Sequence, residues 1–114
     1  MSHPMREIVR ASAFKSDYKR ELKGQHRDTV AGDLQIVLDL LASDKPLPEK
    51  HRDHPLSGPW KSYRDCHVKP DLVLIYKLVD PPPPPKKKKG KAQKPADPKK
   101  LELARLGSHA ELFG

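Results

Sequence analysis

The chain has little cysteine, few aromatic residues and no long apolar run. Its 114 residues include one Cys and only 5% Phe, Trp and Tyr. A single cysteine excludes an intrachain disulfide and fits a reducing compartment. No apolar stretch approaches the roughly 18 residues of a membrane-spanning helix, and the N-terminus lacks the apolar segment of a secretory signal. We therefore expect a single cytoplasmic domain with one modest core and no membrane partner.

The positive charge is concentrated in one segment. The formal net charge is +8, but residues 81–100 hold eight lysines and one aspartate, so the rest of the chain carries only +1. The same segment holds seven of the 13 prolines, five of them consecutive. Consecutive prolines favour polyproline II and consecutive lysines repel one another. We predict that residues 81–100 form a disordered insert in the single domain 1–114.

Two amphipathic helices are expected in the first half of the chain. Residues 6–10 are typical of a short strand. Phe14, Tyr18 and Leu22 then recur at four-residue spacing after Ser12, a residue type that favours N-caps. A second helix, starting near residue 28, has apolar residues at the spacing of one helix face: Val30, Leu34, Val37, Leu38 and Leu41.

Three strands are expected in the second half. Residues 60–68 have strand character, residues 72–79 are almost continuously apolar, and residues 101–106 resume the pattern after the insert. The first two of these strands are joined by so few residues that they must pair antiparallel. The order β-α-α-β-β-β predicts an α+β domain with two helices packed on a small, mainly antiparallel sheet.

Histidines and carboxylates are frequent around the expected strand ends. Alternation along residues 60–68 places Lys61, Tyr63, Asp65 and His67 on one face. A carboxylate beside an imidazole can set its tautomer. Two histidines suit RNA cleavage through the 2′-hydroxyl, since one removes the 2′-OH proton and the other protonates the 5′-oxygen leaving group. This chemistry needs no cofactor, and the Cys and His spacing predicts no metal site.

Nearby cations could offset the charge of the phosphate in such a reaction. Lys61, Arg64 and Arg105 are the candidates for this role. Ordinary structural roles are also open for several of the histidines and carboxylates. His51 could be a solvated loop residue, and Asp65 with His67 could be a surface pair. Trp60 is better explained as a packing residue. The residues alone therefore leave the function open.

Two blocks of the sequence resemble the YafQ family, a branch of the RelE superfamily of bacterial toxins. The segment DHPLSGPWKSYRDCHVKPDLVLIYKL at residues 53–78 is similar to the family pattern D-H-P-L-x-G-x-W-x-x-Y-R-D-x-H-V-x-P-D. The ending GSHAELFG is similar to the family's G-T/S-H-A-x-L-F. The resemblance implies a RelE-like fold and a toxin that cuts mRNA on the ribosome. It also implies a DinJ-type antitoxin that holds the toxin inactive in a hetero-oligomer.

The resemblance also implies which residues act. The family's catalytic positions fall on His54, His67, His109, Asp65 and Asp71. Its substrate-holding aromatic falls on Phe113, and Arg105 matches an arginine before the last histidine. We expect His109 to be the main acid or base. The other two histidines would support it or hold the phosphate, and the two aspartates would orient these groups.

Two other functions stay open at this point. A ParE-like toxin would inhibit gyrase without cutting RNA, although that activity needs no histidine and aspartate set. A polybasic interaction protein would use residues 81–100 as its functional segment. We favour a neutral insertion at a permissive turn, because a long surface loop costs little entropy. Its charge could instead add salt-sensitive contacts to ribosomal RNA.

Overall fold

The computed structural model describes residues 5–81 and 99–113. The strands are β1 (Glu7–Arg10), β2 (His54–Pro55), β3 (Arg64–Lys69), β4 (Leu72–Val79) and β5 (Lys100–Gly107). The helices are α1 (Ser12–Glu21), α2 (Val30–Ala42) and α3 (His109–Phe113), and short 3₁₀ turns lie at Glu49–His51 and Gly58–Trp60. The predicted α+β class is confirmed. No helix within the described ranges is long and apolar enough to cross a membrane.

The sheet has the strand order β1-β5-β4-β3-β2. β1 pairs parallel with β5, and the other neighbours pair antiparallel. β4 is central, which explains its apolar run, since residues 72–76 are buried on both faces. The main core lies between the sheet and the face of α2 that the sequence predicted. A smaller apolar cluster, built on Val73, Ile75 and Leu112, lies on the opposite face.

The structure differs from the sequence prediction at several element boundaries. The strand expected at residues 60–68 begins only at Arg64, because Trp60 ends a 3₁₀ turn that starts at Gly58. Gly58 has φ +67°, a conformation that glycine adopts without strain. Ser12 is not the N-cap: Ala11 takes that position without a side-chain hydrogen bond. β2 and α3 were missed, because segments of two and five residues are too short to show a period.

The buried face of α1 carries acidic residues that the apolar pattern did not predict. Phe14 is buried as expected, but Leu22 follows the helix and is 40% exposed. Asp17 and Glu21 are only 4% and 9% exposed. The buried Asp17 carboxylate accepts a hydrogen bond from the Leu106 N–H at 2.9 Å, which offsets the loss of hydration. Leu106 lies beyond the residues of β5 that pair with β1, so its N–H is free for this contact.

The described residues on either side of the insert are adjacent in the sheet. Val79 and Lys100 are cross-strand partners, so β4 and β5 pair as consecutive strands would. The buried Arg6 donates hydrogen bonds to the carbonyl oxygens of both residues, at 3.3 and 3.1 Å, and forms an ion pair with Asp80 at 2.9 Å. The predicted disorder concerns residues 81–100, of which residues 82–98 lie outside the described part of the chain.

Candidate active site

One face of β3 and β4 carries two of the predicted site residues. In the register of the sheet, Asp65 lies opposite Ile75 and His67 lies opposite Val73. The intervening Cys66 packs in the main core against the helices. Because side chains alternate along a strand, Asp65 and His67 point to the sheet face that α2 does not cover.

Three imidazoles from separate segments meet around Asp65. His54 of β2 is its cross-strand partner, with Nδ1 3.1 Å from Asp65 Oδ1. The rings of His67 and His109 are 5.3 Å apart between centroids, and those of His109 and Phe113 are 5.5 Å apart. These five residues are called the histidine patch below. No three His, Cys, Asp or Glu side chains within residues 5–81 and 99–113 have the arrangement of a metal-binding set.

Asp65 is a buried carboxylate beneath these rings. It is 1% exposed, and burial raises the pKa of its carboxyl, an effect that the charges of the three histidines partly offset. Its Oδ1 accepts no hydrogen bond within the described residues, although His54 Nδ1 is near. That nitrogen instead lies 2.8 Å from the carbonyl oxygen of Arg52. Asp65 therefore interacts with the three imidazoles mainly through charge, without a hydrogen bond to Oδ1 from the described residues.

Backbone carbonyls set the tautomers of two histidines. His54 Nδ1 lies 2.8 Å from the Arg52 oxygen, and His67 Nδ1 lies 3.2 Å from the Pro70 oxygen. A carbonyl oxygen only accepts hydrogen bonds, so Nδ1 carries the proton in each ring. Nε2 of each neutral ring is then the atom that can take up a proton.

The short helix α3 is fixed at its N-terminus by a capping box. Ser108 Oγ accepts the Glu111 N–H at 3.1 Å, and Glu111 Oε1 accepts the Ser108 N–H at 2.9 Å. Arg20 of α1 lies 3.5 Å from the same carboxylate. A Cβ at Gly107 would lie 2.8 Å from Arg20 Nη2, so a larger residue there would displace the end of the arginine side chain. These contacts hold His109, the first residue of α3, against the sheet.

Asp71 contacts the loop between α1 and α2. It occupies the turn between β3 and β4, where its carboxylate accepts hydrogen bonds from Gln25 at 3.0 Å and from His26 at 2.9 Å. The structure therefore gives Asp71 contacts with the loop between α1 and α2. The sequence assigned no role to His26, and its pairing with Asp71 became visible only in three dimensions.

Two of the predicted phosphate-binding cations are engaged by carboxylates. Arg105 Nε lies 2.7 Å from Asp17, and Arg64 Nε lies 3.2 Å from Asp53. Arg64 also precedes Asp65 and so points to the helix side of the sheet. Arg105 is the cross-strand partner of Ile75, the residue opposite Asp65, so its backbone lies in the same row of the sheet as Asp65. Lys61 is exposed in the turn before β3, not on the strand as the alternation pattern assumed.

Lys77 is a further cation on the patch face, at a position that no sequence motif marked as functional. It follows Val73 and Ile75 at two-residue spacing in β4, so it shares their face. Its Nζ lies 5.5 Å from the centroid of the Tyr63 ring. The available signal was a lysine within the otherwise apolar run of residues 72–79.

His51 has a structural role. It was expected to be a solvated loop residue, but it is 6% exposed, and its Nδ1 donates a hydrogen bond to the His67 carbonyl oxygen at 2.6 Å. This bond satisfies the buried ring and supports the strand that carries His67.

Sequence comparison places the chain in a family. The sequence model of the bacterial toxin of type II toxin–antitoxin systems, YafQ, matches residues 6–114. This chain belongs to the YafQ family. The family resemblance of the two motif blocks is thereby confirmed, and the chain is a toxin of a type II toxin–antitoxin system.

Relatives of this YafQ-family toxin are similar over nearly their whole length. The mRNA interferase toxin YafQ of Escherichia coli is 38% identical over 109 residues, covering 94% of this chain and 99% of the relative. In the crystal structure of the E. coli DinJ–YafQ complex, a chain with 37% identity superposes with a TM-score of 0.70, covering 96% of this chain and 99% of that one. A crystal structure of E. coli YafQ gives 36% identity and a TM-score of 0.72 with the same coverage.

Replacing Asp65 with asparagine should stabilise this YafQ-family toxin at neutral pH. Because the folded state raises the pKa of Asp65 above its ordinary 3.8, the folded protein holds this proton more tightly than the unfolded chain does. The contribution of Asp65 to the free energy of unfolding is therefore complete below pH 3.8, the ordinary pKa. It is lost as the pH rises through the raised pKa of the folded state. We expect the free energy of unfolding at pH 7 to increase by about 1 kcal/mol, measured by urea denaturation. The gain should shrink as the pH approaches 4. A loss of stability at pH 7 would instead mean that the ion pair with His54 outweighs the cost of burial.

Proposed function

We propose that this toxin is a metal-independent endoribonuclease that cleaves mRNA on the ribosome through the RNA's own 2′-hydroxyl. The observation that carries the proposal is the meeting of three imidazoles from separate segments around the buried Asp65. Cleavage through the 2′-hydroxyl needs an acid and a base that exchange protons near neutral pH, and imidazoles suit both roles. The name of the E. coli relative, an mRNA interferase, supports the same activity.

In the proposed reaction His67 is the base and His109 is the acid. His67 donates Nδ1–H to the Pro70 carbonyl, which leaves Nε2 to remove the 2′-OH proton. The 2′-oxygen then attacks the phosphorus, and the bond from phosphorus to the 5′-oxygen breaks. His109, whose ring lies 5.3 Å from that of His67, donates a proton to the leaving oxygen. The products are a 2′,3′-cyclic phosphate and a 5′-hydroxyl.

The other members of the patch hold and stabilise the reacting groups. His54 presents Nε2 to the phosphate, where its protonated form offsets developing negative charge. Asp65 stabilises the imidazolium that forms when the base takes its proton. Phe113 is 41% exposed beside His109 and offers a stacking surface for a nucleotide base.

The remaining predicted residues have less direct roles in this proposal. Arg105 and Arg64 act through their ion pairs with Asp17 and Asp53. Asp71 follows Pro70, whose carbonyl oxygen accepts the His67 Nδ1–H, and it supports the orientation of that ring through this turn. The exposed Lys61 is the one predicted cation that we keep as an RNA contact.

We further propose that a cognate DinJ-type antitoxin binds this toxin in a hetero-oligomer and blocks its activity in the cytoplasm. The support is the similarity of this chain, at 37% identity and a TM-score of 0.70, to the toxin in the E. coli DinJ–YafQ complex. Co-expression with the antitoxin gene from the same operon should therefore relieve growth arrest.

The nuclease proposal is tested by incubating the purified toxin with an mRNA in the presence and absence of ribosomes. We expect cleavage that depends on ribosomes and upstream fragments that end in a 2′,3′-cyclic phosphate. A chelator of transition metals, which leaves ribosomal Mg²⁺ in place, should not slow it. Fragments with a 3′-hydroxyl, or inhibition by the chelator, would exclude the proposed chemistry.

Cleavage of mRNA, DNA-damage signalling and a deletion variant together separate the nuclease from the two alternative functions. A ParE-like toxin would leave the mRNA intact and induce DNA-damage signalling after expression. A polybasic interaction protein would lose its effect when residues 82–98 are deleted, whereas a nuclease should keep its cleavage activity, because this deletion leaves Lys100 of β5 in place.

A further inference from the structure

Beyond the histidine patch, the same sheet face holds a lysine in a defined position. Lys77 follows Ile75 by two residues in β4, and Ile75 is the cross-strand partner of Asp65. A two-residue step along a strand spans about 7 Å. Along β4, Lys77 therefore lies two residues beyond Ile75, the partner of Asp65, in the direction away from Val73, the partner of His67.

The lysine is held by an aromatic pair. Its Nζ lies 5.5 Å from the centroid of the Tyr63 ring, within the range of a cation–π interaction. Trp60 meets Tyr63 edge to face, with centroids 5.2 Å apart and an interplanar angle of 89°. Both aromatic rings pack on the small apolar cluster of the patch face. This packing limits the positions open to the ammonium group.

Lys77 differs from the arginines near the site in its partners. Arg64 and Arg105 each pair with an aspartate at 3.2 Å or closer. Lys77 forms no ion pair with any carboxylate in residues 5–81 and 99–113, although Glu102 is its cross-strand partner. Its charge is therefore available to an anion that approaches this face.

We propose that Lys77, positioned by Tyr63, binds a backbone phosphate of single-stranded RNA next to the scissile one. The inference rests on the proposed nuclease function. RNA that places its scissile phosphate between His67 and His109 can continue over the small apolar cluster on this face towards Lys77. A lysine beside aromatic rings is a common way to bind single strands without reading their sequence. Lys77 would therefore set affinity and the position of the strand, and would take no part in proton transfer.

The test measures binding and cleavage separately on Lys77→Met. Binding uses a single-stranded RNA oligonucleotide with 2′-O-methyl groups, which cannot be cut through the 2′-oxygen, and fluorescence anisotropy over a range of salt concentrations. We expect Kd to rise about 5- to 10-fold at low salt, and the slope of log K against log salt to fall by about 0.7, the value for one phosphate contact on a single strand. In cleavage of unmodified mRNA in the presence of ribosomes, KM should rise while kcat stays close to that of the wild type.

Two further variants test whether the effect depends on the positive charge and on its position on the patch face. Lys77→Arg keeps the cation and should retain most of the affinity and the full salt slope. Lys45→Met removes one exposed positive charge after α2, outside the patch face, and should leave both unchanged. The proposal is overturned if Lys77→Met and Lys45→Met have the same Kd and slope, or if Lys77→Arg binds as weakly as Lys77→Met. Failure of the nuclease proposal is seen independently, as wild-type toxin that does not cut unmodified mRNA in the presence of ribosomes.

Discussion

His109→Ala should reduce the rate of mRNA cleavage by about 100- to 10,000-fold, the usual contribution of one general acid or base. His109 begins α3, is exposed, and lies with its ring 5.3 Å from that of His67. Without it no imidazole at this position can protonate the leaving 5′-oxygen. The single-turnover rate on ribosome-bound mRNA measures the effect directly, and expression of the variant without antitoxin should no longer arrest growth.

The pH dependence of cleavage gives a second measurement of the same role. A neutral base and a protonated acid predict a bell-shaped profile for the wild type. In His109→Ala the decline on the high-pH side should disappear, because the group that must stay protonated is absent. The decline on the low-pH side, assigned to His67, should persist.

A matched control is His26→Ala. This variant removes an imidazole that binds Asp71 at 2.9 Å and lies outside the histidine patch, so its cleavage rate should stay close to that of the wild type. Wild-type toxicity and cleavage in His109→Ala would show that this imidazole is not the acid. A large loss in His26→Ala would instead place the loop between α1 and α2 in the reaction.

Asp17→Ala should lower the free energy of unfolding by about 3 kcal/mol. The Asp17 side chain is 5% exposed and accepts hydrogen bonds from Arg105 Nε at 2.7 Å and from the Leu106 N–H at 2.9 Å. Removing it leaves that N–H without a partner on the open edge of β5. The guanidinium groups of Arg105 and Arg20 are partly exposed and can be hydrated, so we expect a value at the low end of the range for broken buried ion pairs. Urea denaturation at pH 7 measures the loss.

The pH dependence separates the charge of Asp17 from its hydrogen bonds. Burial would raise the pKa of Asp17, but the hydrogen bonds from Arg105 and Leu106 outweigh it and hold the pKa below its ordinary 3.8. The charge of Asp17 therefore contributes to the free energy of unfolding above pH 3.8, the ordinary pKa. This contribution is lost as the pH falls through the lowered pKa of the folded state. Asp17→Asn keeps an acceptor for the N–H, so it should lose less stability than Asp17→Ala at pH 7. Its difference from the wild type should shrink as the pH falls below 3.8, the ordinary pKa of the carboxyl. Equal stability of Asp17→Ala and wild type at pH 7 would refute the role of this contact.

The helices and the central strand were predictable because their signals are local and periodic. Val30, Leu34 and Val37 recur on one helix face, and all three are buried in the main core. The run at residues 72–79 is apolar because β4 has strands on both sides and apolar clusters on both faces. Boundaries were less predictable. The start of β3 moved to Arg64 because a glycine at positive φ and a 3₁₀ turn precede it.

The candidate site was predictable in its residue types and only partly in its geometry. Alternation along β3 placed Asp65 and His67 on one face, as the structure has them. The same reasoning did not reveal that Arg64 pairs with Asp53, that Arg105 pairs with Asp17, or that Asp71 binds the loop after α1. Each of these partners is at least 11 residues away in sequence, so no local pattern contains them.

The sequence by itself determined the buried face of α2, the buried central strand, the composition of the insert and, through two motif blocks, the family. The tertiary structure decided which of the charged residues meet. His54 comes beside Asp65 through the pairing of β2 with β3, and His109 comes over His67 because β5 ends opposite Val73. The pairing register between strands that are far apart in sequence sets these contacts, and that register depends on the packing of both sheet faces at once.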